Sequence, residues 1–311
     1  MKPKPKKMRN PKIIVTMAGV FAACAALMSG TDARSDATPI ATAATVYGYV
    51  PPDQVEFLSP PDRIISIASS GSPAAIWETL EHGEKVECLR CIPTVANLLY
   101  DANPETREIA AWWLRRRIFG VFGAGEVYEQ TLQTFKGDAE PKRRAYAAEA
   151  LGEFLAAPGI AACGAAVTGD PDPTVRAAAA FALGRLQDDA GGALTKALGD
   201  GDSKVKLAAL RSGPRINGWT GIASVAPLTA DGDPLVRRRA VQVLDTLQAK
   251  GSVAKVIELA KNDPDPEVRL SACHALGTFH DTSARAPLER IMANDSNTFV
   301  RDQARIARLR L

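Results

Sequence analysis

Histidine is scarce in this chain, with three in 311 residues, and cysteine numbers only five. So few ligands exclude a metal-crowded protein, and so few thiols exclude a disulfide-dense scaffold. Aromatic residues make up 6%, so a core has to be assembled from Ala, Leu, Val and Ile. Strand patterning is nearly absent: Val46-Tyr47-Gly48-Tyr49-Val50 is the one such stretch, and alone it cannot make a sheet. No phosphate loop, nucleophile elbow or paired-carboxylate signature occurs. What remains is a folded composition, 46% apolar and 23% charged, in a length that suits one large domain or two ordinary ones.

The chain opens with Lys2, Lys4, Lys6, Lys7, Arg9 and Lys12 and no acid, followed by an apolar run from Ile13 to about Met28 and then small and polar residues. A basic region, an apolar region and a small-x-small end describe a secretory signal peptide over residues 1–37, with cleavage after Ala33 or Ala37. Two alternatives stay open. The run is just under the roughly 17–25 residues that span a bilayer, so it could persist as an anchor. Phe21-Ala22-Ala23-Cys24 also resembles a bacterial lipobox, which would put lipid on Cys24. All three readings predict an exported chain, periplasmic or secreted, or else membrane-anchored on the outer side. Residues 38–62 read as a Pro-rich linker, because Pro39, Pro51, Pro52, Pro60 and Pro61 interrupt helix and favour extended backbone. Tyr47 and Tyr49 make it either a linker packed on the body or a recognition segment.

From Asp101 the sequence repeats itself. Seven blocks begin at Asp101, Asp138, Asp170, Asp200, Asp231, Asp263 and Asp295, spaced 37, 32, 30, 31, 32 and 32 residues apart. Six positions after each Asp stands a base: Arg107, Arg144, Arg176, Lys206, Arg237, Arg269 or Arg301. Nine positions on there is always alanine (Ala110, Ala147, Ala179, Ala209, Ala240, Ala272, Ala304), and thirteen on, five blocks carry leucine. The residue two after each Asp is mostly a good N-cap, often followed by proline at the first helical position, where a missing donor is harmless. Alanine and leucine at i, i+4 form one apolar face, and the small alanine implies close helix contact. Three residues before each Asp the chain is apolar again, which predicts a second helix per unit. Helix-turn-helix units of about 32 residues cannot bury their faces singly, so they must stack. The expected fold class is all-α, an α-solenoid over residues 63–311, with 63–100 as an N-terminal cap unit and about seven repeats after it.

Blocks such as Asp170-Pro-Asp-Pro-Thr-Val-Arg176 and Asp263-Pro-Asp-Pro-Glu-Val-Arg269 resemble the short HEAT repeats first noted in phycobilisome lyases. The resemblance covers about residues 70–311 and implies that the recurrent acid and base pair across neighbouring repeats as a ladder. Some relatives are enzymes. Deoxyhypusine hydroxylases hold iron with His-Glu pairs, but His82, His274 and His280 are followed here by Gly83, Ala275 and Asp281. Bilin lyases act on cytosolic light-harvesting proteins, which conflicts with export. The expected function is therefore a non-catalytic scaffold or adaptor of the cell envelope that presents its surface to a protein partner, with no cofactor.

Two places could carry chemistry or binding. Cys88-Leu-Arg-Cys91, just before the helix begun at Pro93, reads as a structural disulfide or reduced pair, as metal ligands with His82, or as a redox pair. The redox or metal-handling accessory protein is the alternative function. Cys163 and Cys273 read as small core residues. The second place is Trp112-Trp113-Leu114-Arg115-Arg116-Arg117, where other repeats carry alanines. Trp113 aligns with core positions, whereas Trp112, Arg115, Arg116 and Arg117 are candidate partner-binding residues, since Trp and Arg are the usual interface anchors. Net charge offers no further partner. The formal +3 belongs to the leader: taking its seven bases and two acids from totals of 38 and 35 leaves 31 and 33. Nothing in that balance favours nucleic acid.

Overall fold

The computed structural model describes residues 54–118 and 125–311. The leader with Cys24, the stretch at 46–50 and residues 119–124 lie outside the described residues. Residues 51–311 form one compact unit. Among the described residues there are sixteen α-helices and no strand, and no helix is long and apolar enough to cross a membrane.

The repeats are helix pairs in which the Asp-initiated turn joins a first helix to a second. These are α3 (Ile92–Asn97) with α4 (Pro104–Arg115), α5 (Glu126–Gly137) with α6 (Pro141–Phe154), and α7 (Gly159–Gly169) with α8 (Pro173–Leu186). Then come α9 (Ala193–Ala197) with α10 (Ser203–Ser212), α11 (Ile222–Val225) with α12 (Pro234–Thr246), α13 (Val253–Asn262) with α14 (Pro266–Phe279), and α15 (Arg285–Asn294) with α16 (Thr298–Leu309). Successive second helices pack on one another along the array. This is the stacking that the 32-residue period predicts.

The cap differs from expectation in its membership. A helix at Pro61–Ser70 (α1) pairs with one at Pro73–His82 (α2), and α2 packs on α4. The α1–α2 pair is thus the cap, and the helix from Ile92 belongs to the first repeat. The predicted linker ends too late for the same reason. A 3₁₀ turn covers Val55–Leu58, and Pro61 stands at the start of α1. Proline is tolerated there because its missing N–H would be unbonded anyway, so Pro60-Pro61 starts a helix instead of breaking one.

Each repeat turn is built by its Asp. In all seven, the backbone N–H two residues on donates to the Asp carboxylate, from Asn103 to Asp101 at 2.7 Å through Asn297 to Asp295 at 2.8 Å. Asn103, Asp172, Asp202, Asp233, Asp265 and Asn297 then cap the second helix. Glu140 makes no such side-chain bond, because its longer arm does not fold back as Asp and Asn do.

The alanines nine positions on are fully buried in all seven repeats, as are Leu114, Leu151, Leu183, Leu244 and Leu276. Close approach continues at the glycine that follows this leucine. A Cβ on Gly277 would stand 2.8 Å from the Ala307 Cα, and one on Gly184 would stand 2.6 Å from the Ser212 Cβ. The first helices α9 and α11 are short. Gly191 and Gly192 hold positive φ just before α9, and Gly218 does so in the approach to α11. The space is filled by buried Trp219, whose indole N–H donates to Thr195 Oγ1 at 3.1 Å.

Candidate partner-binding surface

The Asp–base ladder links consecutive repeats. Arg144 pairs with Asp170, Arg176 with Asp200, Lys206 with Asp231, Arg237 with Asp263 and Arg269 with Asp295. The arginines of these rungs also donate to the Asp carbonyl of their own turn, as Arg237 does to Asp231 at 3.0 Å. One side chain thereby braces its own turn and holds the next. The first rung departs from the expected pattern. Arg107 pairs with Glu149 at 2.9 Å, and Asp138 is held by Arg143 of its own repeat. The 37-residue spacing between Asp101 and Asp138 is where the register changes. Arg107 also lies 3.7 Å over the Tyr146 ring.

Cys88 and Cys91 form a disulfide with Cα atoms 5.3 Å apart, and both residues are buried. The Cys91 sulfur lies 3.6 Å from the Pro61 carbonyl, in packing contact with the start of α1. His82 is buried at the end of α2. Among the described residues no group of three or more His, Cys, Asp and Glu side chains is placed to hold a metal. Cys163 and Cys273 are buried thiols pushed up to about 12 by desolvation, which makes both poor nucleophiles. Replacing Cys88 and Cys91 together by serine is expected to cost about 2 kcal/mol, because so short a loop restricts little unfolded-chain entropy. The melting temperature would fall by several degrees with partner capture unchanged. Lost capture at an unchanged melting temperature would instead put chemistry at this pair.

The Trp112–Arg117 segment corrects one expectation. Arg117 is buried, lies 3.5 Å over the Trp113 ring, and donates to the carbonyls of Glu84 at 2.7 Å and Val86 at 2.8 Å. It is a clasp on the cap loop and is not free to anchor a partner. Arg116 pairs with Glu84 at 3.4 Å, Arg115 is half-buried, and Trp112 is half-buried against the core.

The open surface lies further along the chain. The outward faces of α6, α8 and α10 enclose a groove of about 800 Å³ whose apolar lining is Ala145, Ala177, Ala178, Phe181, Leu207 and Ala208, with Glu140, Glu149, Asp172, Lys142, Lys204 and Arg211 as its charged lining. Phe181 is 41% exposed there. Two cavities of about 200 Å³ adjoin it and share Phe181. One is lined by Arg107, Glu149 and the ion pair between half-buried Arg185 and buried Glu153, the other by Arg211, Arg215 and Arg239. Desolvation raises the Glu153 carboxyl despite Arg185 beside it. Trp112 occupies the same repeat register as Glu149, Phe181 and Arg211, eleven residues after the block's Asp. This outward-facing register is the signal that identifies the groove. Trp113 beside Trp112 is fully buried in the core, as its alignment with core positions predicts.

A stack of two-helix units whose second helices pack on one another defines an α-solenoid. The family of HEAT repeats matches residues 128–212 and 222–307, more than half of the sequence, and the chain belongs to that family. Comparison with curated proteins gives no sequence match. Among solved structures, the Escherichia coli protein YibA is similar with a TM-score of 0.55 and 16% identity, over 90% of this chain and 100% of that one. Kap95p, solved bound to RanGDP, gives a TM-score of 0.56 at 16% identity over 79% of this chain and 38% of that one. The CpcE–CpcF complex of phycocyanin lyase from Nostoc gives 0.40 at 19% identity, over 70% of this chain and 93% of that one. These likenesses concern the fold.

Proposed function

We propose that this protein is a non-catalytic binding scaffold of the cell envelope, exported by its basic-apolar leader, that seats a protein partner in the groove across α6, α8 and α10. The observation that carries this reading is the groove itself: a largely apolar lining that includes exposed Phe181, on a fold that commonly mediates protein–protein contact. The Cys-x-x-Cys disulfide supports an oxidising compartment, and its burial argues against exchange with a redox partner. Kap95p contacts a protein in the complex named above, which is consistent with such a role. The test is a photoreactive amino acid placed at Phe181 and, separately, at Lys255 on α13, in cells making the full chain. Covalent protein adducts are expected from position 181 and not from 255, on chains whose mass shows the leader removed. Equal labelling from both positions, or none from 181, would overturn the groove reading.

A further inference from the structure

Arginines on this surface are generally neutralised. Arg107, Arg144, Arg176, Arg185, Arg237, Arg238 and Arg269 each face a carboxylate. In the cavity between α8, α10 and α12 three arginines meet without such a partner. Arg211, Arg215 and Arg239 line it together with Phe181, Gly184 and Ser212, and no acidic residue does. Among the described residues Arg211 and Arg215 make no ion pair, and both are exposed. Arg239 donates to Gln242 at 3.2 Å, but its Nε is buried without a partner. Three guanidinium groups that converge without a counter-charge repel one another, and a buried N–H left unbonded adds to the cost. The Arg239 guanidinium is accordingly held below its ordinary value, first by burial and then by Arg211 and Arg215.

Phe181 and Arg211 line both this cavity and the apolar groove. A carboxylate seated among the arginines therefore has an apolar shelf next to it on the same molecule. We infer that the groove receives an acidic peptide segment of the partner, carboxylates on Arg211, Arg215 and Arg239 and aliphatic side chains on Phe181 and Leu207. The inference rests on the groove reading above and adds the chemistry of what enters. Arginine suits this work because its planar fork meets a carboxylate with two hydrogen bonds.

Fluorescence anisotropy on the purified full chain tests it with two labelled dodecapeptides, one alternating leucine with glutamate and one alternating leucine with serine. The glutamate peptide should bind roughly 10-fold tighter or better, with the advantage shrinking as ionic strength rises. The double variant Arg211→Glu, Arg215→Glu should abolish that advantage. Both side chains are exposed, and far-UV circular dichroism with a thermal melt checks that the fold is kept. Equal binding of the two peptides would overturn the inference, as would an advantage retained by the double variant. Displacement of the glutamate peptide by an equal concentration of inorganic phosphate would also overturn it, in favour of a small-anion site. Crosslinks at position 181 without an acidic preference would leave the groove standing and remove only its charge assignment.

Discussion

Replacing Arg237 by alanine should remove about 3–5 kcal/mol of stability, a large effect for a side chain that touches no ligand. Arg237 Nε and Nη2 donate to the two oxygens of Asp263 at 2.7 and 2.8 Å, and Nη1 donates to the Asp231 carbonyl at 3.0 Å. Both partners are largely withdrawn from water, with the Asp263 side chain 2% exposed. Truncation leaves a buried carboxylate whose remaining donor is the Asp265 N–H. The cost comes from that orphaned charge more than from the worth of the pair itself. Replacing both residues together by leucine should restore only part of the loss, because it removes the buried charge but also the Asp263 turn bond to the Asp265 N–H and the Arg237 bond to the Asp231 carbonyl. Urea denaturation of the two single variants and the double variant reads the difference. An Arg237→Ala chain as stable as the parent would show that the rung bears no weight.

The same rung predicts a pH dependence. Burial pushes the Asp263 carboxyl up, but the Arg237 hydrogen bonds and the Asp265 N–H outweigh it and hold the group below its ordinary value. Asp200 is held down first by Arg176, and Asp231 and Asp295 end below the usual range against their burial. A depressed folded value means these carboxylates contribute fully above the unfolded aspartate pKa of about 3.9. The contribution is lost as pH falls through the lower folded values. Denaturation midpoints should thus be flat near neutrality and fall steeply below about pH 4. Midpoints unchanged into strong acid would mean that the ladder does not depend on its charges.

The period made most of this fold legible. Seven Asp residues with a base at six and alanine at nine specify turn, cap, rung and core contact in one short pattern; turn and alanine contact are found in all seven, caps in all but the Glu140 repeat, and the standard rung from Arg144 to Asp295. Physics beyond the pattern decided the rest. Pro60-Pro61 has the composition of a linker, yet proline is equally at home at a helix start, and only packing against α2 distinguishes the two. Arg107 takes Glu149 while Asp138 is held by Arg143 of its own repeat, a pairing that the recurrent Asp and base do not announce. The groove was hidden by a different cause. Phe181, Leu207 and Arg211 look unremarkable one at a time, and only the stacking of three helices makes them neighbours. Trp112-Trp113 drew attention because the residues are large, and size in a core and size at an interface look alike in a sequence.

That ambiguity is resolved by the second large effect. Trp113→Ala should cost about 3–5 kcal/mol and should also open the disulfide to reductant. The ring is fully buried, its indole N–H donates to the Gly83 carbonyl at 2.8 Å, and the Arg117 guanidinium lies over it. Arg117 satisfies the carbonyls of Glu84 and Val86, and desolvation lowers it to about 10, still charged at neutral pH. Tryptophan and arginine together thus hold residues 83–86, which lead into the Cys88–Cys91 pair. Removing the ring leaves a cavity and frees the clasp, so the loop should open well below the global transition. Thiol labelling under mild reductant should be slow in the parent, fast in Trp113→Ala, and intermediate in Arg117→Met, which keeps the stem but loses the donors. If Arg117 were an interface anchor, Arg117→Met would spare stability and weaken partner capture. The clasp predicts the reverse, a less stable cap with the groove around Phe181 still competent.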